Sequence, residues 1–120
     1  MSGHLTTHAL DTARGRPAAG MTLELARIDE NGDRKVLKTA WTNPDGRTDE
    51  PLLAGEELSS GTYELVFDVG EYFAGQPERG TADPPFLGWV PVRFGIADPS
   101  AHYHVPLLAS PWAYSSYRGS

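Results

Sequence analysis

Apolar residues stand at every second position through Tyr63, Leu65, Phe67 and Val69, and this run more than any other restricts what the chain can fold into. A period of two places those side chains on one face of an extended strand and leaves Thr62, Glu64, Val66 and Asp68 mostly facing water. The same alternation recurs. Met21, Leu23 and Leu25 oppose Thr22, Glu24 and Ala26 in a strand over Met21–Ile28, and Val90, Val92, Phe94 and Ile96 alternate through Trp89–Ile96, where Pro91 predicts an edge strand or a bulge. Strands also read over His4–Leu10, Val36–Thr42, His102–Leu108 and Pro111–Arg118, with one short helical turn over Gly70–Gln76. Between them lie turn signals: the loop Asp11–Gly20, Asn31-Gly32, Asn43-Pro44-Asp45-Gly46 and Asp83-Pro84-Pro85. About eight short strands in 120 residues, with 13 Gly and 10 Pro to turn them, predict an all-β sandwich in one domain over residues 1–120.

Several classes of function are excluded by what is missing. The net charge is −6 and no basic cluster is longer than Arg34-Lys35, so a nucleic-acid groove is not expected. No apolar run approaches membrane length, and Met1-Ser2-Gly3 leads straight into patterned sequence without an apolar leader. With no cysteine to form a disulfide, the expectation is a cytoplasmic protein. There is no thiol nucleophile, no G-x-S-x-G elbow, no phosphate-binding loop and no H-E-x-x-H.

Four histidines remain: His4, His8, His102 and His104. Each pair has even spacing within a strand, so His4 shares a face with His8 and His102 with His104. Tyr103, Val105 and Leu107 take the opposite, core-like face, which turns the histidines outward. From the residues alone three readings stand side by side: ordinary exposed histidines, a zinc site built from the His-x-His pair and one more imidazole, or a hydrolytic site with His as base. No carboxylate stands at a spacing that would complete a metal site, and none is assigned. Arg47, directly after its turn, reads either as a solvated turn residue or as a planar cationic fork for a carbonyl-rich or anionic ligand. The tail Tyr114–Ser120 holds two tyrosines in its last seven positions, more aromatic surface than a frayed end needs.

Three segments carry a resemblance. Leu5-Thr6-Thr7-His8-Ala9-Leu10-Asp11-Thr12 with Gly15-Arg16-Pro17-Ala18, then Asp45-Gly46-Arg47, then His102-Tyr103-His104-Val105-Pro106-Leu107-Leu108-Ala109-Ser110-Pro111 ending in Tyr117-Arg118-Gly119-Ser120, resemble the signatures of the 5-hydroxyisourate hydrolases, the transthyretin-like enzymes. The terminal Tyr-Arg-Gly-Ser is the most specific element, because it separates those enzymes from hormone-carrying transthyretins. Ala9 stands where Val is common and Ala109 where Leu is common, and neither changes a polar group; Trp112 is a neutral departure.

The resemblance implies a transthyretin-like sandwich of two four-stranded sheets with one short helix. It implies a homotetramer, a dimer of dimers, with sites at the dimer–dimer interface, and it makes the strands of His8 and His104 neighbours. The implied reaction is hydrolysis of 5-hydroxyisourate to 2-oxo-4-hydroxy-4-carboxy-5-ureidoimidazoline in urate breakdown, with no cofactor and no metal. Carried over by position, His8, Arg47, His104 and Ser120 are the catalytic set, with Ser120 positioning rather than attacking, and His8, Arg47, Tyr117, Arg118, Gly119 and Ser120 bind substrate. His102 ranks below His104 and His4 reads as surface. The alternative on the same scaffold is a small-ligand carrier without catalysis.

Overall fold

The computed structural model describes residues 3–77 and 82–120; Met1 and Ser2, the start of the expected leaderless N-terminus, lie outside them. Among the described residues nine strands form two sheets: β1 (His4–Asp11), β2 (Arg16–Pro17), β3 (Thr22–Ile28), β4 (Arg34–Trp41), β5 (Leu53–Ala54), β6 (Gly61–Asp68), β7 (Trp89–Ile96), β8 (His102–Ala109) and β9 (Tyr114–Ser116). One sheet runs β2-β1-β8-β9 with β5 added along β1, and the other runs β4-β3-β6-β7. The first sheet therefore has five strands rather than the expected four. Two of its strands stand where the sequence pattern predicts none: β5, and β2 inside the predicted 11–20 loop. Gly15, at a φ of 68°, turns the chain so that Arg16 and Pro17 fall back on Asp11 and Leu10. A 3-10 turn at Gly55–Glu57, also unexpected, follows β5.

The inner faces of the two sheets share one apolar core. Leu5 and Ala9 of β1, Leu23 and Leu25 of β3, Tyr63, Leu65 and Phe67 of β6, and Tyr103, Val105 and Leu107 of β8 are all buried in it. These are the alternating residues of the sequence pattern, and their burial is the main force holding the sheets together. Pro91 lies in β7, an edge strand, as its missing N–H requires.

Three details depart from simple alternation. Leu25 pairs with Lys38 and Ala26 with Val36, so Leu37 is an extra residue bulged out of β4, and that strand begins two residues earlier than expected. Glu64, expected in water, is only 9% exposed, because Arg34 and Arg93 close over its carboxylate. The last strand shortens to Tyr114–Ser116, since Pro111–Ala113 form a turn in which Ser110 N–H donates to the Ala113 carbonyl at 2.8 Å.

The predicted helical turn is α1 (Val69–Ala74), capped by the Asp68 carboxylate, which accepts from Glu71 N–H at 3.1 Å. Its Val69, Tyr72 and Phe73 are buried. Tyr72 donates its hydroxyl to buried Asp11 at 2.8 Å, tying the helix to the end of β1. Burial first, and then the Asp11 carboxylate, push the phenol up to about 12.

Candidate active site

The strands β1 and β8 pair in parallel, with His4 opposite His102, Thr6 opposite His104 and His8 opposite Pro106. Because the inward face of each strand is spent on the core, these residues line the outward face, in the order the parity argument predicts. The polar rungs occupy the start of both strands, and Leu10 beside Leu108 continues the face as an apolar rung.

His104 is partly buried. Its Nδ1 lies 2.8 Å from the Thr6 hydroxyl. The tail returns alongside it: Gly119 N–H donates to the His104 carbonyl at 2.7 Å, in an antiparallel bridge. A Cβ on Gly119 would stand 2.6 Å from His104 Cδ2, so only glycine lets the tail lie this close to the ring. Partial burial holds the His104 pKa below the ordinary 6.5, and repulsion from the Arg47 cation, and from His8 whenever it is protonated, lowers it further. At neutral pH this imidazole is a free base.

Arg47 is delivered by the turn before it. The Asn43 side-chain oxygen accepts from Asp45 N–H at 2.9 Å and from Arg47 N–H at 3.1 Å, and Gly46 closes the turn at a φ of 80°. The turn docks on β1 through Ala9 N–H, which donates to the Gly46 carbonyl at 2.8 Å. A side chain at Gly46 would run into the Ala9 carbonyl. The same turn reaches His8, whose Nε2 donates to the Asp45 carbonyl at 2.9 Å. A carbonyl only accepts, so the proton of neutral His8 sits on Nε2 and its lone pair on Nδ1. Among the described residues no hydrogen bond or ion pair engages the Arg47 guanidinium.

The other residues singled out fall in two groups. Tyr117 and Ser120 are exposed on either side of the Arg118-Gly119 pair. Arg118 is engaged by its own chain: its guanidinium lies 4.2 Å from the centre of the Tyr103 ring and donates to the His102 carbonyl at 3.0 Å. His4, read as plain surface, is half-buried and stacks on His102, with the two Nδ1 atoms 3.0 Å apart. Among the described residues no group of three or more His, Cys, Asp or Glu is placed to hold a metal. Thr6 and the Asp45 carbonyl were not anticipated. Thr6 was within reach of the same parity argument, since it stands between His4 and His8 on their face; a backbone carbonyl leaves no such mark. A wider recess of about 650 Å³, lined by Phe73, Phe86, Leu87 and Trp112 among others, contains none of these residues.

The arrangement combines a neutral imidazole, a second imidazole of fixed tautomer and an unengaged guanidinium on one open face. It can deprotonate water beside an electrophilic carbonyl and stabilise the oxyanion that forms.

Known proteins share both the sequence and the fold of this chain. Residues 5–119 match the HIUase/Transthyretin family. The chain is 56% identical, over 99% of its length and 98% of the relative's, to 5-hydroxyisourate hydrolase 2 of Rhizobium meliloti. The solved structure of an (S)-allantoin synthase superposes with a TM-score of 0.91 at 46% identity, covering 99% of this chain and 44% of that one. A transthyretin from Sparus aurata superposes with a TM-score of 0.83 at 25% identity, covering 96% of this chain and 95% of that one.

Proposed function

The chain belongs to the HIUase/transthyretin family, and from that premise we propose that it hydrolyses 5-hydroxyisourate in the degradation of urate. It is a hydrolase, acting on a ring C–N bond next to a carbonyl. The observation that carries the reading is the meeting of His8, Arg47 and a neutral His104 on one outward face of the β1/β8 pair.

In the mechanism we assign, His104 takes a proton from water as the oxygen adds to the ring carbonyl. Arg47 receives the negative charge on the former carbonyl oxygen. When the tetrahedral centre collapses, the C–N bond breaks and the proton held by His104 passes to the departing ring nitrogen. The histidine is thereby restored, and the new carboxylic acid loses its remaining proton to solvent and stays beside Arg47 as the carboxylate. His8, with Nε2 committed to the Asp45 carbonyl, offers its Nδ1 lone pair to an N–H of the flat substrate. Tyr117 and Ser120 bound the substrate from the tail, Gly119 supplies the room, and Arg118 holds the tail against β8 rather than touching substrate. No covalent intermediate and no metal or cofactor enters this scheme.

The protein works as a single domain over residues 1–120 and as a homotetramer, a dimer of dimers, whose facing β1/β8 surfaces enclose the site. A face this open on one chain needs another surface to exclude water from a bound substrate. The described residues contain no helix long and apolar enough to cross a membrane, and the absence of cysteine supports a cytoplasmic location.

The test is direct. 5-Hydroxyisourate generated by urate oxidase is followed by its ultraviolet absorbance with and without the protein, in the presence of a chelator. Decay faster than the spontaneous rate and proportional to protein is expected. No acceleration by the folded protein would mean that the scaffold serves as a carrier, and acceleration abolished by the chelator and restored by zinc would replace the metal-free scheme.

A further inference from the structure

We propose that Thr6 is a positioning residue for His104: its hydroxyl accepts the Nδ1 proton and holds the ring in the tautomer whose Nε2 lone pair serves the reaction. The inference rests on His104 being the base, and it adds the group that makes it one.

Geometry supports it first. Thr6 and His104 are direct partners in the parallel β1/β8 ladder, and the hydroxyl stands 2.8 Å from Nδ1 in a partly buried setting. Threonine is branched at Cβ and stiff about χ1, so the strand backbone largely fixes where that oxygen lies. The ring is held from its other edge by Gly119, which packs against Cδ2, the carbon bonded to Nε2. One nitrogen is thus engaged by β1, while the other lies next to the tail residues assigned to the substrate.

Chemistry decides the direction of the bond. A hydroxyl both donates and accepts, so distance alone permits either tautomer. If Thr6 donated to Nδ1, Nε2 would carry the ring proton and could not take one from water. Only with Nδ1–H donating to Oγ1 is Nε2 a base. A neutral hydroxyl also orients the ring without the stabilisation of imidazolium that a carboxylate would bring. This agrees with an imidazole held below the ordinary histidine value. The contrast with His8 is chemical: there a carbonyl, an obligate acceptor, fixes the proton on Nε2. The two imidazoles of the site are therefore locked in opposite tautomers.

The experiment reads tautomer and turnover separately. In ¹⁵N-labelled protein at pH 8, the His104 nitrogens, assigned by their loss in His104→Asn, should show a protonated Nδ1 and a bare Nε2. Thr6→Val keeps the shape and removes the hydroxyl; it should lower kcat about tenfold to a hundredfold with KM within about twofold, because the ring loses its orientation and not its substrate contacts. Its His104 signals should shift toward the Nε2–H form that free imidazole side chains prefer in water. Thr6→Ser should restore both the signals and kcat to within about threefold. A protonated Nε2 in the parent protein, an unchanged kcat in Thr6→Val, or a Ser variant no better than Val would each overturn the proposal. If the parent protein fails to accelerate 5-hydroxyisourate decay, the hydrolase reading falls on its own, and the nitrogen signals still decide what Thr6 does.

Discussion

On the outward face of the β4-β3-β6-β7 sheet, Glu24, Arg34, Glu64 and Arg93 form an alternating chain of charges. Arg34 reaches Glu24 at 2.5 Å and Glu64 at 3.1 Å, and Arg93 takes the second Glu64 oxygen at 3.2 Å. Both oxygens of Glu64, the more buried carboxylate of this chain of charges, are thus matched to guanidinium groups. The outward face of the β1/β8 pair treats its polar groups differently. One nitrogen of His8 and one of His104 are fixed by neutral partners, the second nitrogen of each is left over, and the Arg47 cation has no carboxylate on it among the described residues. The faces belong to similar strands of one sandwich. A charge network closed on itself stabilises and can do no chemistry, whereas a half-satisfied set of donors and acceptors costs stability and can act on a ligand.

That contrast breaks first at His104. His104→Asn should lower kcat by about 10²- to 10⁴-fold, the usual worth of a positioned general base, with thermal stability unchanged. Loss of stability without loss of turnover would place His104 with the structural face instead. The pH profile sharpens the same point. A base whose pKa is lowered by burial, Arg47 and His8 stays unprotonated to lower pH. The acid limb of kcat/KM should therefore fall only as pH drops below the ordinary 6.5, and an inflection at or above that value would contradict the assignment.

A subtler intervention leaves every functional group in place. Gly119→Ala adds one carbon, which would stand 2.6 Å from His104 Cδ2. With the ring held on its other side by Thr6, the tail or the imidazole must shift, and a displacement of this kind should cost about tenfold to a hundredfold in kcat. Equal turnover in this variant would show that the tail does not pack against His104 in the working enzyme.

These sites differ in how far the chain announces them. The core and the facing of the histidines followed from period-two spacing in β1, β6 and β8, since a strand repeats what it does two residues on. The pairing of β1 with β8 came only through the family resemblance, because parity fixes the face of a strand and not its neighbour. Glu64 misled for a physical reason: its position in the alternation is solvent-facing, and its burial is produced by arginines from β4 and β7 that lie 30 and 29 residues away. The bulge at Leu37 was equally silent, being a mismatch between two strands and not a property of either. The backbone contributions to the site, the Asp45 carbonyl on His8 and Gly119 against His104, depend on how a turn and a tail dock on β1 and β8. The position of Arg47 after Asn43-Pro44-Asp45-Gly46 was visible; its destination was not.

The structural face supplies the smallest expected effect and the control for all the others. Glu64→Gln keeps the size of the side chain and removes its charge, so Arg34 retains Glu24 while Arg93 loses its carboxylate partner. Removing one member of a fully buried ion pair can cost several kcal/mol, but both arginines here are partly in water and can rehydrate. A loss of about 1–2 kcal/mol in denaturant unfolding is therefore expected, with kcat and KM within about twofold of the parent. If turnover fell in step with stability, the core between the sheets would be transmitting strain from one face to the other. The division into a closed, stabilising face and an open, reactive one would then describe the residues and not the energetics.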